Sequence, residues 1–319
     1  MKLSLFDLHC DTAMEMLAKS QPLAKNDFHV SLENTAVFEQ YVQVMAFFTS
    51  PNLDDEDGWS RFLAMRKNLL SDPSVASGAV STVSVCPPHQ KGVSLLFGIE
   101  DARIFAGRLD RVEKAYRLGV RILTPLWAKE TCIGGSHDTN VGLTDFGREA
   151  IQKAISLGMI ADISHASVKS ADEIFALAAE LNRPVIASHS NAAYVCPVSR
   201  NLSRGQIQKI LASGGVIGLN LYTAFIKKSA NATLADLLPH IEYFLEQGAE
   251  NALCMGGDWD GADLPPEIKT VRDISKLAEL LLSRNYSETF IQKLFFENAY
   301  SFAKKNLKEK KSLNGGSIK

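Results

Sequence analysis

The chain has 319 residues, 46% of them hydrophobic and 22% charged, with a formal net charge of -2. That is ordinary globular composition with material for a large core. It supplies no basic footprint for nucleic acid and no attraction to anionic lipid. No run approaches the roughly 18 apolar residues of a membrane span, and the opening MKLSLFDLHCDT lacks the segments of a signal peptide. The five cysteines are widely spaced without a C-x-x-C pair, so the expectation is a reduced, cytoplasmic protein.

In chain order, LSLFDLHCDT reads as a first strand ending in His9 and Asp11, which share a face by strand alternation while Cys10 points away to the core. Residues 41–48 read as a second strand, 59–70 as a helix, 71–91 as a Ser/Gly/Pro-rich connection and 93–99 as a third strand ending at Glu100. A helix over 103–118, closed by Gly119, leads to strand four at 120–127 and a Gly-rich loop. Thr144 and Asp145 suit the cap of the next helix. MIADIS is strand five, followed by His165, and PVIASHS is strand six, bearing His189. Residues 216–222 form strand seven, Thr233 to Gln247 a helix, and NALCMGGDWDG strand eight with Asp258 and Asp260 at its end.

Eight strands alternating with helices through short connections predict an α/β protein, a (β/α)8 TIM barrel with short additional C-terminal helices. An open doubly wound sheet would call for a phosphate-binding glycine fingerprint after the first strand, where this chain has HCD. One barrel domain over 1–308 and a fraying, lysine-rich tail over 309–319 are expected.

A barrel builds its active site at the C-terminal ends of its strands. There stand His9 and Asp11, Glu100, Trp127, His165, His189, Tyr222 and Asp258. Three of the seven histidines fall in that set, whereas strand-to-loop junctions by themselves favour Asp, Asn, Ser and Gly. Imidazole and carboxylate without thiolate suit zinc or a similar divalent ion, and five such ligands exceed the three of a mononuclear catalytic zinc site. Two ions are the simpler account: Glu100 bridges them, with His9 and Asp11 on one and His165 and His189 on the other. Such a pair can share a hydroxide and polarise a carbonyl, which is hydrolysis.

The set DLHCDT, GIED, ADISHAS, PVIASHS with VSRNLS, GGVIGLN and GGDWDG occurs in that order over nearly the whole chain. Together these motifs resemble the membrane dipeptidase (renal dipeptidase) family of the amidohydrolase superfamily. The resemblance implies a binuclear zinc barrel that cleaves dipeptides, with His9, Asp11, Glu100, His165 and His189 as metal ligands. It implies a proton-shuttling role for Asp258 and a role for Arg200 in binding the substrate's terminal carboxylate, for which a guanidinium fork is suited. One position departs: where founding members carry a substrate-contacting histidine after strand four, this chain has Trp127, whose indole donates only through Nε1 and can wall the pocket.

The expected substrate is therefore a small dipeptide, with no nucleic-acid or membrane partner and a homodimer as the default assembly. Two other functions stay open: a metal-dependent hydrolase of another small amide or ester, such as an N-acyl amino acid or lactone, and a catalytically weak peptide-binding relative. Tyr222 is either a pocket wall or a core tyrosine. Asp260 reads as a partner of its own turn. His29, His89, His137 and His240 read as surface residues, although the loop position of His137 would let it reach the site and replace the missing histidine.

Overall fold

The computed structural model describes residues 2–228 and 231–308, so the expected tail lies outside the described residues. The barrel strands are β1 (Leu5–Cys10), β2 (Gln40–Phe48), β4 (Gly92–Glu100), β5 (Val120–Thr124), β6 (Ile160–Asp162), β7 (Val185–Ile186), β8 (Ile217–Leu219) and β9 (Leu253–Met255). A short β3 (Val80–Thr82) precedes β4. All pairs are parallel, in the order β7-β6-β5-β4-β2-β1-β9-β8, and a bridge between Ala187 and Ile217 brings β7 beside β8. Helices between the strands surround this nearly closed (β/α)8 barrel.

Most barrel strands send one or two residues to an interior ring that includes Phe6, Val42, Leu96, Ile122, Ile160 and Ile186. Phe296, Phe302 and Leu307 of the C-terminal segment join the same cluster. The last helix, Asn298–Asn306, thereby joins this core, while the closing helices Ser275–Ser283 and Glu288–Gln292 pack outside it. Opposite-parity residues such as Leu5, Tyr41 and Met45 pack in the second apolar cluster, with the surrounding helices.

Local chemistry sets the element ends. Thr144 caps the helix Asp145–Leu157 by accepting the Gly147 N–H, and Gly158 closes it in the left-handed region. Ser203 and Gln206 form a capping box on Arg204–Ala212. Three expectations change. The 71–91 connection contains β3, which covers the free edge of β4 at Val93 to Leu95, ahead of where β5 begins to pair. The helix expected over 103–118 divides into a short turn, Ala102–Phe105, and Leu109–Arg117, because Ala106 and Gly107 both adopt positive φ. Strands six to eight shrink to two or three residues each. Among the described residues no helix is long and apolar enough to cross a membrane.

Candidate metal centre

The strand ends exchange ladder hydrogen bonds for side-chain acceptors. On β1, Asp7 Oδ1 accepts the N–H of His9 and Gln43 Nε2, both at 3.0 Å, while Asp7 Oδ2 accepts Gly257 N–H at 2.8 Å and Trp259 Nε1–H at 2.9 Å. One buried carboxylate thus ties the strand of His9 to the loop of Asp258. On β6, Asp162 Oδ1 accepts the N–H groups of Ser164 and Ser188, each at 2.9 Å, and Asp162 Oδ2 accepts the Thr124 hydroxyl at 2.6 Å and the Ser188 hydroxyl. These substitutions end β6 and β7 early and turn their last residues toward the rim.

A bulge completes the arrangement on β1. Its pairing with β2 runs Asp7 to Gln43 and then Cys10 to Met45, so β1 carries one extra residue there. Phe6 and Leu8 face the barrel interior, and Leu5 and Cys10 face the helices. The extra residue shifts the alternation, and His9 and Asp11 join the rim while Cys10 stays in the core.

Glu100 stands at the centre. Its Oε2 is 3.4 Å from His9 Nε2, and its Oε1 is 3.0 Å from His165 Nε2 and 3.5 Å from His189 Nε2. Asp11 Oδ2 and Asp258 Oδ1 lie 3.6 Å and 4.0 Å from His9 Nε2. The Trp127 carbonyl accepts His165 Nδ1–H at 3.0 Å, and Ser188 Oγ accepts His189 Nδ1–H at 2.7 Å. This network assigns the tautomers, leaving both Nε2 lone pairs aimed inward and only 3.0 Å apart.

Two lone pairs do not bond to each other, and His9 Nε2 and Asp11 Oδ1 are buried with no hydrogen-bond partner among the described residues. Three buried carboxylates, Asp11, Glu100 and Asp258, crowd the same space. The donor set therefore fits cations: His9, Asp11 and Glu100 form one group close enough to hold an ion, and Glu100, His165 and His189 form another.

The electrostatics agree. Burial pushes Asp11 up to about 7, against the opposing pull of the neighbouring His9. Burial presses His9 downward, but Glu100 and Asp11 more than reverse it and hold it well above its ordinary value. Burial, then the charge of Arg200, pulls His165 down to about 4. Burial also raises Asp258, whose Oδ2 accepts Asn220 Nδ2–H at 3.2 Å. Asp258 has φ 58, a left-handed conformation, and the loop beyond it closes on Asp11 so tightly that a Cβ at Gly261 would collide with the Asp11 carboxylate.

A cleft of about 680 Å³ opens above this centre, a size ordinary for a small-molecule site. Asp11, Glu100, His165, Asp258, Trp127 and Tyr222 all border it. The Trp127 ring packs 5.0 Å from Phe48, and the Tyr222 ring meets Phe225 edge-on at 4.7 Å. Arg200 is buried beside the centre: it donates to Ser190 Oγ at 2.8 Å and to the His189 carbonyl at 2.9 Å, and its Nε has no partner among the described residues. Burial pulls it down to about 10.

Other expectations shift. His240 is fully buried, not at the surface; its Nδ1 accepts Ala192 N–H and its Nε2 donates to the Ile226 carbonyl, which satisfies both ring nitrogens. Asp260 serves a structural purpose away from its own turn, accepting the Thr12 hydroxyl and the His29 N–H at 2.6 Å each. His137 borders the cleft, with its ring centroid 5.8 Å from that of His165. Asp7, Asp162 and Asn220 orient the site and were not among the sequence candidates. Their one available signal is position: Asp7 and Asp162 each stand two or three residues before a rim histidine.

The profile of the family described as membrane dipeptidase (peptidase family M19) matches residues 1–314. The "uncharacterized protein in pqqA 5' region" of Klebsiella pneumoniae is 31% identical over 222 residues, which cover 66% of this chain and 81% of that protein. Dipeptidase 3 of Macaca fascicularis is 31% identical over 210 residues, covering 63% of this chain but only 42% of its relative. Among solved structures, a metallo peptidase from Rhodobacter sphaeroides, liganded with a phosphinate mimic of the dipeptide L-Ala-D-Ala, superposes with a TM-score of 0.88. It is 25% identical, with 96% of this chain and 100% of that chain covered.

Proposed function

The chain belongs to the membrane dipeptidase family of metal-dependent peptide hydrolases, and we propose that its own reaction is hydrolysis of free dipeptides with two zinc ions at the barrel rim. The observation that carries this reading is the convergence of His9, Asp11, Glu100, His165 and His189 with inward lone pairs and unpartnered buried atoms. His9 and Asp11 would hold one ion, His165 and His189 the other, and Glu100 both. Two such ions supply Lewis acidity at the carbonyl and a hydroxide nucleophile near neutral pH.

The remaining work falls to this chain's side chains. Asp258, buried and raised in pKa, takes a proton and passes it to the departing amine, with Asn220 Nδ2–H fixing its orientation. Arg200 draws the substrate's C-terminal carboxylate toward its side of the cleft by charge. Trp127 with Phe48, and Tyr222 with Phe225, wall the space for the two side chains and exclude water. The dipeptide mimic bound by the Rhodobacter sphaeroides relative supports the same substrate class here. We place the protein in the cytoplasm, in keeping with widely spaced cysteines that lack a C-x-x-C pair.

The burial of Arg200 and its engagement with Ser190 and His189 favour one second reading, a hydrolase of another small amide such as an N-acyl amino acid. Turnover of a panel of dipeptides and N-acyl amino acids by zinc-supplemented protein separates the two, with metal analysis alongside. Cleavage of dipeptides at about two zinc equivalents is expected. Absence of all dipeptide cleavage would overturn the dipeptidase reading, and a single equivalent would overturn the dinuclear one.

A further inference from the structure

We propose that the base of the barrel, at the opposite end from the metal centre, holds a phosphate group in a small cavity bordered by Arg121, Arg183, Lys305 and Lys308. The site stands apart from the dipeptidase reading and does not depend on what the rim cleaves.

A cavity of about 160 Å³ lies where the C-terminal segment crosses the starts of β5 and β7. Arg121 is the second residue of β5, and Arg183 stands two residues before β7. The segment is fastened across them. The Leu307 carbonyl accepts Cys86 N–H at 2.9 Å, the Asn306 carbonyl accepts Arg183 Nη2–H at 3.4 Å, and the Leu307 side chain joins the interior ring of the barrel. That docking carries Lys305 and Lys308 to the cavity.

Four cations thus border one small space, and no Asp or Glu borders it. Lysines elsewhere find acids: Lys209 pairs with Asp172, Lys227 with Asp236 and Lys293 with Glu250. Among the described residues, none of the four at the base forms such a pair, in a chain whose net charge is -2. Burial presses both guanidinium groups below their ordinary value, and the Tyr116 phenol is the acidic neighbour that opposes it. Partly buried cations without a counter-charge are costly until an anion joins them.

The donors are already ordered. Arg121 Nε–H donates to the Ser84 carbonyl at 2.7 Å, and its Nη1–H groups donate to the Tyr116 and Val120 carbonyls at 2.9 and 2.8 Å. Its Cζ lies 4.1 Å from the centroid of the Tyr116 ring. The buried Nε of Arg183 has no partner among the described residues. Ser84 and Tyr116 border the cavity too and bring hydroxyl donors.

Size and charge select the ligand. Sites for drug-sized molecules run to about 300–1,000 Å³, so this one takes a small group. Four cations favour an anion of more than one charge, and a guanidinium fork matches phosphate oxygens. A phosphate group, at about −1.5 to −2 near neutral pH, meets each requirement. Bound there, it ties the C-terminal segment to β5 and β7, the strands that lead to Trp127 and His189.

The test uses the zinc-loaded full chain, freed of excess metal. Inorganic phosphate and glycerol 3-phosphate are the probes, with potassium chloride at matched ionic strength as the blank. The variants are Arg183→Gln and the double change Lys305→Gln with Lys308→Gln, both exposed positions. Calorimetric titration of the wild type is expected to show saturable phosphate binding. Kd should rise about tenfold in Arg183→Gln, as for loss of a hydrogen bond to a charged group, and about threefold or more in the double-lysine variant. Phosphate at ten times the wild-type Kd should raise Tm by about 2 °C over the chloride blank, with a smaller rise in each variant. Absence of saturable binding overturns the site, and so does full affinity retained in either variant, the result expected of phosphate held at the rim metals. Should Arg183→Gln fail to fold, the double-lysine variant decides alone. Tighter binding of glycerol 3-phosphate than of the free ion assigns the site to a phosphorylated metabolite, and weaker binding assigns it to inorganic phosphate.

Discussion

His9 on one side of the rim and His165 with His189 on the other are the same side chain in comparably closed surroundings, yet they are driven in opposite directions. Burial lowers all three, but on the His9 side Glu100 and Asp11 more than reverse it. Across the barrel, burial is reinforced by Arg200 for His165, and by His9 and then Arg200 for His189. One side is therefore a carboxylate cluster short of positive charge, and the other a pair of neutral imidazoles offering lone pairs. Burial by itself does not set the state of a rim histidine; the charged neighbour delivered by the next strand does. Each side also has its own buried aspartate beneath it, Asp7 under His9 and Asp162 under His189.

The largest expected effect comes from Glu100→Gln, which breaks the comparison outright because Glu100 faces both sides. It should cost full metal occupancy and lower kcat/KM on the order of 10⁴-fold, read by metal analysis and steady-state kinetics. Asp258→Asn alters a carboxylate whose Oδ1 lies 4.0 Å from His9 Nε2. A fall in kcat of about 10³-fold with unchanged metal content is expected, as for loss of a proton carrier; normal turnover would remove the shuttle assignment.

Asp7→Asn and Asp162→Asn sharpen the comparison, each loosening one side from below. Outer-sphere losses of about 10–100-fold in metal affinity are expected. Stepwise metal titration should show a different one of the two equivalents weakened in each variant. Weakening of the same equivalent in both would contradict the two-sided picture.

The smallest effect is the pH dependence of the metal-free protein. His9 and Asp11 are raised in the fold, so their contribution to stability is present at low pH and lost as pH rises through their folded values, about 7 for Asp11. His165 and His189 are lowered, so their contribution grows as pH rises toward about 6.5 and is constant above it. Between about pH 6.5 and 8.5 only the carboxylate side still changes, and the Tm of chelated protein should fall by a few degrees. With zinc present the trend should reverse, since the ligands must be deprotonated to bind it. A flat profile without metal would count against the raised values at His9 and Asp11.

Much of the architecture was legible because alternation of short apolar runs with helical periods leaves few options in a chain of this length. The ends of those runs also carried His and Glu, residues that turns do not ordinarily collect. Other features were hidden for identifiable reasons. Val80, Ser81 and Thr82 are too few to register as a strand until β4 offers an edge. His240 reads as polar and exposed, and only the Ala192 N–H and Ile226 carbonyl converging on it make a buried imidazole tolerable. His137 stands ten residues beyond Trp127, and the loop's own hydrogen bonds bring it back over His165.

By itself, the sequence determined the barrel, the family and the chemical character of the rim, because periodicity and ligand type are properties of local residues. Tertiary structure alone decided which way the decisive pair faces. Strict alternation groups His9 and Asp11 with Asp7 and Leu5, on the side that packs against the helices. The one-residue bulge against β2 turns His9 and Asp11 to the rim instead, and leaves Asp7 below to hold them. No local pattern encodes that bulge, since it exists only as a mismatch of register between two strands.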